Sequence, residues 1–237
     1  AIAARFARDG YALAIHKRRN AYADDILVDA IRETGAACHC FVADLAKPED
    51  VAGLIPAVTA HFGRAPDVLV NNASLFLEGQ WPDLNADNLA ETMQVNHHAP
   101  VLLAQAMVAA HEGPRRPAIV NILDQRVANP VPDQVAYSLS KQALWQSTST
   151  LAVAFRGKAR VNGVAPGLTL PTADYSEAQM ERLADLMPLG ALPTPEQIAD
   201  AVAWLAGAEA VTGQTIFVDG GAHLAAFDRD FVNLARD

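Results

Sequence analysis

Three things are scarce in this chain of 237 residues, and each scarcity excludes a class of protein. Cysteine comes first: Cys38 and Cys40 are the only two, too few for a disulfide framework or a four-sulfur metal site. They stand two apart in "ACHCFVADL" and so share one face of a strand, where they read as a buried, reduced pair suited to a reducing cytoplasm. Positive charge is next: 18 Lys and Arg against 27 Asp and Glu leave a net charge of −9. That balance argues against nucleic acid or an anionic membrane as the main partner. Long apolar runs are lacking too, and none approaches the roughly 20 residues of a membrane span. His97 and His98 have no ligand partner at metal spacing, so no metal is expected.

What is present is apolar and regular. With 51% hydrophobic residues the chain can bury one sizeable α/β core, read as a single domain over 1–237. It opens "AIAARFARDG", without an initiator Met and already in helical register: Ile2, Ala3 and Phe6 form a stripe and Asp9-Gly10 a stop. An α/β domain that begins inside a helix is expected to lack something upstream, and a targeting segment there stays open.

After Gly10 strands and helices alternate. Strands are expected at 11–16, 37–43, 67–74, 117–123, 159–167 and 214–221, and helices at 23–34, 47–62, 86–110, 135–156, 176–186 and 195–206. Pro100 should bend or break the long fourth helix. Short, continuously apolar strands between helices indicate a mostly parallel sheet covered on both faces, a doubly wound α/β architecture. In such sheets ligands lie beyond the carboxyl ends of the strands. The residues to examine are therefore 16–20, 44–45, 71–76, 124–126 and 166–171.

One of these stretches, "NILDQRVANPVPDQVAYSLSK" (121–141), holds Tyr137 and Lys141 at i and i+4 on one helix face. An ammonium near a phenol favours phenolate and lowers the tyrosine pKa toward working pH, which suits a proton donor or acceptor; an ordinary surface pair is the alternative. Thirteen residues earlier, at a strand end, stands Asp124.

In the motifs "VADL" (42–45), "LVNNAS" (69–74), "VNHHAP" with Asn96, "IVNIL" (119–123), "YSLSK" (137–141), "RVNGVAPG" (160–167) and "TGQTIFVDGG" (212–221), the chain resembles the short-chain dehydrogenase/reductase family over nearly its whole length. The resemblance implies a Rossmann-type nicotinamide-binding fold with hydride transfer. Tyr137 would be the acid/base, Lys141 would hold the ribose and tune the tyrosine, and Asn96 would support a water-linked proton path. It also implies that Asp44 and Leu45 flank the adenine, Asn72 and Ala73 pass beside its ribose, and Pro166, Gly167 and Thr169 border the nicotinamide.

Two departures carry information. The family's first strand and Gly-rich turn are absent, with no GxGxxG anywhere, so the backbone approach to a pyrophosphate is missing and cofactor should bind poorly. Asp124 takes the usual serine position, as in the pteridine reductases, and "NNAS" with Phe76 two residues beyond Ser74 agrees with that resemblance. There the phenylalanine stacks the pterin on the nicotinamide, while the serine and aspartate lie beside pterin and cofactor. A carboxyl kept partly neutral by a closed apolar pocket would help to protonate ring nitrogens. Asp124 paired simply with Arg126, and Phe76 as mere core or rim, are the plainer readings.

After the first expected strand comes "IHKRRN", with His16, Lys17, Arg18, Arg19 and Asn20 and no carboxylate. NAD-selective sites place an acid there; cations instead match a 2′-phosphate and point to NADPH. Trp145, Leu151 and Phe155 widen the apolar surface of the Tyr137 helix, and the family commonly forms tetramers through it, so a homo-oligomer is expected. The leading expectation is an NADPH-dependent reductase of a pterin or related heterocycle. Alternatives are a carbonyl or 3-oxoacyl reductase of the same family and a non-catalytic cofactor-binding scaffold. Residues 168–190, "LTLPTADYSEAQMERLADLMPLG" from Leu168, suggest a lid with a short helix.

Overall fold

A computed structural model describes residues 1–19, 25–77, 81–171 and 175–235. The chain order is α1 (Ile2–Arg8), β1 (Leu13–Lys17), α2 (Asp25–Arg32), β2 (Cys38–Val42), α3 (Pro48–Phe62), β3 (Val68–Asn71), α4 (Ala86–Met93), α5 (Ala99–Ala110), β4 (Ala118–Ile122), α6 (Val135–Ala154), β5 (Arg160–Pro166), α7 (Glu177–Asp185), α8 (Pro195–Gly207) and β6 (Thr215–Val218). Each expected element is present with shifted ends. The start of the helix expected at 23, Asn20 of the cationic run, and part of the expected lid lie outside the described residues.

Local sequence sets the ends. Pro48 opens α3, where its missing N–H costs nothing, and Gly63 closes it in the left-handed region at φ 72°. The long helix expected over 86–110 is divided by a π turn at Gln94–His98. Pro100 has no N–H for the carbonyl four residues back, so the wider turn absorbs the mismatch instead of a break.

All strand pairs are parallel, and the helices divide between the two faces. Phe6 and Ala7 of α1, Ile31 of α2 and Ile198, Val202 and Leu205 of α8 pack on one face. Val51 and Ile55 of α3 with Leu103 and Met107 of α5 pack on the other.

Within this doubly wound parallel arrangement, the architecture expected, the described strands pair in two ladders. β3–β4–β5–β6 form one sheet and β1–β2 a second. Between them lies a cavity of about 1320 Å³, with Leu13 and Ile15 of β1 on one side and Val68 and Val70 of β3 on the other. Among the described residues neither β1 nor β3 has a ladder partner on its cavity side. A correction follows from β2 standing at an edge: Cys38 is exposed and Cys40 half-buried, both free thiols, rather than a buried pair. No described helix is long and apolar enough to cross a membrane.

Candidate active site

The site is assembled at the carboxyl end of β4, a strand buried along its whole length. Asp124 leaves that strand extended and caps a short 3₁₀ turn over Gln125–Val127, accepting the Arg126 backbone N–H at 2.8 Å. The chain then re-enters a helix through Gln134, whose φ of 45° is left-handed backbone that a side chain with a Cβ tolerates poorly. That entry aims the first turn of α6 back at Asp124. The Tyr137 hydroxyl donates to Asp124 Oδ2 at 2.9 Å, and the buried Arg126 guanidinium donates from Nε to Oδ1 at 3.3 Å.

Of the two readings for Asp124, the geometry contains the pairing with Arg126. In each described hydrogen bond Asp124 accepts: from a phenol, a guanidinium and a backbone amide. Asp124 stands as the acceptor of the cluster.

The electrostatics differ from the sequence expectation at Tyr137. Burial raises its pKa well above the ordinary tyrosine value, and the Asp124 charge adds to this; Arg126 opposes. Lys141 does not supply the expected lowering. Its Nζ lies 5.7 Å from the Tyr137 ring centre and donates to the Ile122 carbonyl at 2.8 Å. Burial pulls Lys141 itself down to about 8, against the pull of Asp124. A desolvated ammonium with one hydrogen bond is a donor with capacity to spare.

Phe76 completes this end of the site. Its ring meets Tyr137 edge-on at 4.8 Å, and the Arg126 guanidinium lies 5.6 Å from the Phe76 centroid and 5.0 Å from that of Tyr137. At 45% exposure Phe76 belongs to the mouth of the site and not to the core. Asn96, presented by the π turn, commits its side-chain amide to neighbouring groups. Its Oδ1 accepts from Leu75 N at 2.7 Å and Ser74 Oγ at 3.2 Å, while Nδ2 donates to Leu75 O at 2.8 Å and Ser140 Oγ at 3.0 Å. That side chain ties the turn bearing Ser74 and Phe76 to α6 and has no spare hydrogen, so a part for Asn96 in a water-linked path would fall to its backbone.

The other expected residues lie at the neighbouring strand ends. His16 Nε2 meets the Ala43 carbonyl at 2.8 Å, joining β1 to the chain leaving β2. Arg18 spans from Asp44, at 3.2 Å, toward Glu91, at 3.7 Å, and Arg19 is exposed. The Ala46 backbone N–H, and then Arg18, hold the Asp44 carboxyl below its usual value. Leu45 is largely buried beside Val51 and Leu54 and lines the cavity next to β1. Asn72 is exposed and Ala73 half-buried just beyond β3. At the end of β5 Thr169 folds back on the Gly167 carbonyl at 2.9 Å. A side chain at Gly167 would meet the Asp219 backbone at 2.8 Å, so glycine lets Pro166–Thr169 pass there.

Sequence reasoning missed the supports. Arg126 was visible only as a possible ion partner, and Asp133, Gln134, Arg229 and Asp230 carried no signal, because the contacts joining residues 126–134 to 229–230 span about a hundred positions. Among the described residues no cluster of His, Cys, Asp and Glu could hold a metal ion.

Comparison with known proteins adds a family. The model described as enoyl-(acyl carrier protein) reductase matches residues 1–223. The 3-oxoacyl-[acyl-carrier-protein] reductase FabG of Staphylococcus epidermidis is 31% identical, covering 94% of this chain and 93% of its own. Two solved structures have a TM-score of 0.85: FolM alternative dihydrofolate reductase 1 from Brucella suis, 35% identical over 94% of this chain and 90% of that one, and from Brucella canis, 36% identical over 94% and 88%. Both were crystallised with NADP.

Proposed function

The chain belongs to the short-chain dehydrogenase/reductase family, and from that premise we propose that it is an NADPH-dependent reductase of a pterin or a related heterocycle. The observation that carries the reading is the 2.9 Å hydrogen bond from Tyr137 to Asp124 beneath the half-open ring of Phe76. The likeness to two NADP complexes titled alternative dihydrofolate reductase supports it.

The residues present fit the ribose and nicotinamide end of such a cofactor. Lys141 is a buried ammonium with one protein hydrogen bond, at the foot of the cleft where ribose hydroxyls would accept the others. Arg18 and Arg19 are the cations for a 2′-phosphate, although Arg18 must share itself with Asp44. When bound, the nicotinamide supplies the hydride. Tyr137 and Asp124 supply the proton: a ring nitrogen would take it from the Tyr137 phenol directly, or from Asp124 after the phenolic proton has passed along their hydrogen bond, and the pair would regain one proton from water. Hydride on carbon and proton on nitrogen together reduce one C=N bond. Phe76 offers the flat apolar face that a bicyclic heterocycle needs.

The test is NADPH consumption against dihydropterins, dihydrofolate, oxidised pterins and simple ketones, for wild type and Asp124→Ser. Pterin turnover is expected in the wild type and a loss of about 10²-fold or more in the variant. Ketone turnover that survives Asp124→Ser, with no pterin turnover in either protein, would instead support the carbonyl or 3-oxoacyl reading, which the likeness to FabG favours. No consumption with any substrate would support a scaffold.

We further propose a homo-oligomer, with a tetramer favoured. Leu102, Leu139 and Trp145 are exposed large apolar residues on α5 and α6. Leu151 and Phe155, expected to add to that surface, are half-buried against the core. Cytoplasmic residence is proposed with it.

A further inference from the structure

The second buried acid at Arg126 comes from the far end of the chain. Arg126 Nη1 lies 3.0 Å from Asp230 Oδ2, with side-chain exposures of 8% and 7%. The same nitrogen donates to Gln134 Oε1 at 3.1 Å, so the guanidinium links Asp124, the strained entry of α6 and the C-terminal segment. The tie is doubled in the opposite sense. Arg229 grips the buried Asp133 through Nε at 3.0 Å and Nη2 at 3.0 Å, and the Asp230 backbone N–H donates to Asp133 at 2.7 Å. The carboxylate of one segment thus meets the arginine of the other, twice. Two crossed pairs fix orientation as well as proximity.

The segment carrying Asp230 is also bound to α7. Gln179 Nε2 donates to the Phe231, Val232 and Leu234 carbonyls, and Arg182 to that of Ala235. Phe231 packs with Leu183 and Met187. The C-terminal segment therefore connects α7 to the arginine beneath Phe76 and beside Tyr137.

We propose that Asp230 is a positioning residue of the active site, holding Arg126 between two carboxylates so that the guanidinium neither closes fully on Asp124 nor leaves the rings of Phe76 and Tyr137. The proposal rests on the reading that Tyr137 and Asp124 move the proton. A bare Asp124–Arg126 pair would be tighter and more positive toward the phenol; Asp230 shares that charge. The charged groups facing Tyr137 are Asp124 and Arg126 from the turn after β4, Lys141 on its own helix, and Asp230 from the C-terminal segment. Burial is the main cause holding the phenol above its ordinary value, and Asp230 acts in the same direction while Arg126 opposes. Removing the Asp230 charge should therefore make Tyr137 more acidic.

Asp230→Asn keeps an acceptor for Arg126 and removes the charge. The alkaline limb of kcat that belongs to the phenol, which lies above that of Lys141 at about 8, is expected to move down by up to about one pH unit with KM changed less than about twofold. Asp230→Glu restores the charge and should restore the limb. If Asp230 were only a tie for the C-terminal segment, the variant would lose folded protein or activity by a pH-independent factor, and a superimposable profile overturns the proposal. The limb can be read with whichever substrate of the panel is turned over, so failure of the pterin reading leaves it intact. Should none be turned over, the ring resonance of Tyr137 in 13C-tyrosine-labelled full chain, assigned with Tyr137→Phe, decides when its titration is followed upward from about pH 10 in both proteins. A shift toward phenolate in Asp230→Asn supports the proposal; identical positions overturn it.

Discussion

At Lys141, burial acts on an ammonium with one hydrogen bond, and the consequence is a stability that rises with pH. Its pKa falls from 10.5 to about 8 in the fold. The unfolded chain therefore holds the extra proton between about pH 8 and about 10.5, so the cofactor-free fold gains stability as pH rises through that window, by up to about 3 kcal/mol. Lys141→Met keeps the volume and removes the charge. The variant is expected to be more stable than wild type near pH 7, with the gap closing above about pH 9, while activity falls by about 10²-fold or more. Denaturant midpoints from pH 7 to 10 check it; a constant gap would show that the ammonium is not desolvated. The raised phenol of Tyr137 acts oppositely at still higher pH, and because both proteins share it, the comparison cancels it. Tyr137, Lys141 and Asp124 were legible because they recur at fixed offsets near a strand end. Arg126 was not, since a guanidinium two positions after an acid reads as a surface pair until burial and Asp230 are known. For the same reason the phenol's shift was read with the wrong sign: spacing shows which charges share a helix face, but not how much water surrounds them.

The elements were legible where periodicity alone decides and less so where a backbone irregularity does. α8 begins with a full capping box: Thr194 Oγ1 accepts from Gln197 N, and Gln197 Oε1 accepts from Thr194 N at 2.9 Å. Thr194→Ala should cost about 1 kcal/mol of stability, measured by thermal or denaturant unfolding, with kcat unchanged because the cap is exposed and bonds only within its own turn. A change in kcat would mean that α8 transmits strain to β4, on which it packs. The π turn ahead of Pro100 is the contrary case. Proline announces an interruption, yet whether the chain kinks, breaks or widens depends on Asn96, whose side chain bonds to Ser74, Leu75 and Ser140 and so favours the widened turn. Gln134 is similar. Nothing in "PDQVAY" marks a left-handed residue, and the hydrogen bond from Arg126 that helps to hold it comes from eight residues earlier.

Taken as a whole, the molecule is unevenly supported, and this should be visible in how it opens. β4 is buried at every residue and has a strand on each side, β3 and β5. β1 and β2 pair only with each other among the described residues, and most of their positions are half-buried or exposed. What holds that pair to the rest is largely α1, through Phe6 and Ala7 against Ile198 and Val202 of α8 and the ion pair from Arg5 to Asp200. Nearly every position of that pair is half-buried or exposed while β4 is buried throughout, so opening there sacrifices fewer contacts than opening β4. Amide hydrogens of Leu13–Lys17 and Cys38–Val42 are therefore expected to exchange at least ten-fold faster than those of Ala118–Ile122, a difference of about 1.4 kcal/mol in opening free energy. Because Arg18, Arg19 and Asp44 ride on the weaker pair, a dinucleotide bound across both sheets should slow exchange in β1 and β2 more than in β4. Hydrogen exchange with and without NADPH measures both effects. Equal protection of the two sheets in the free protein would mean that α1 on α8 suffices to make one cooperative unit, and that the cation cluster is already fixed before cofactor arrives.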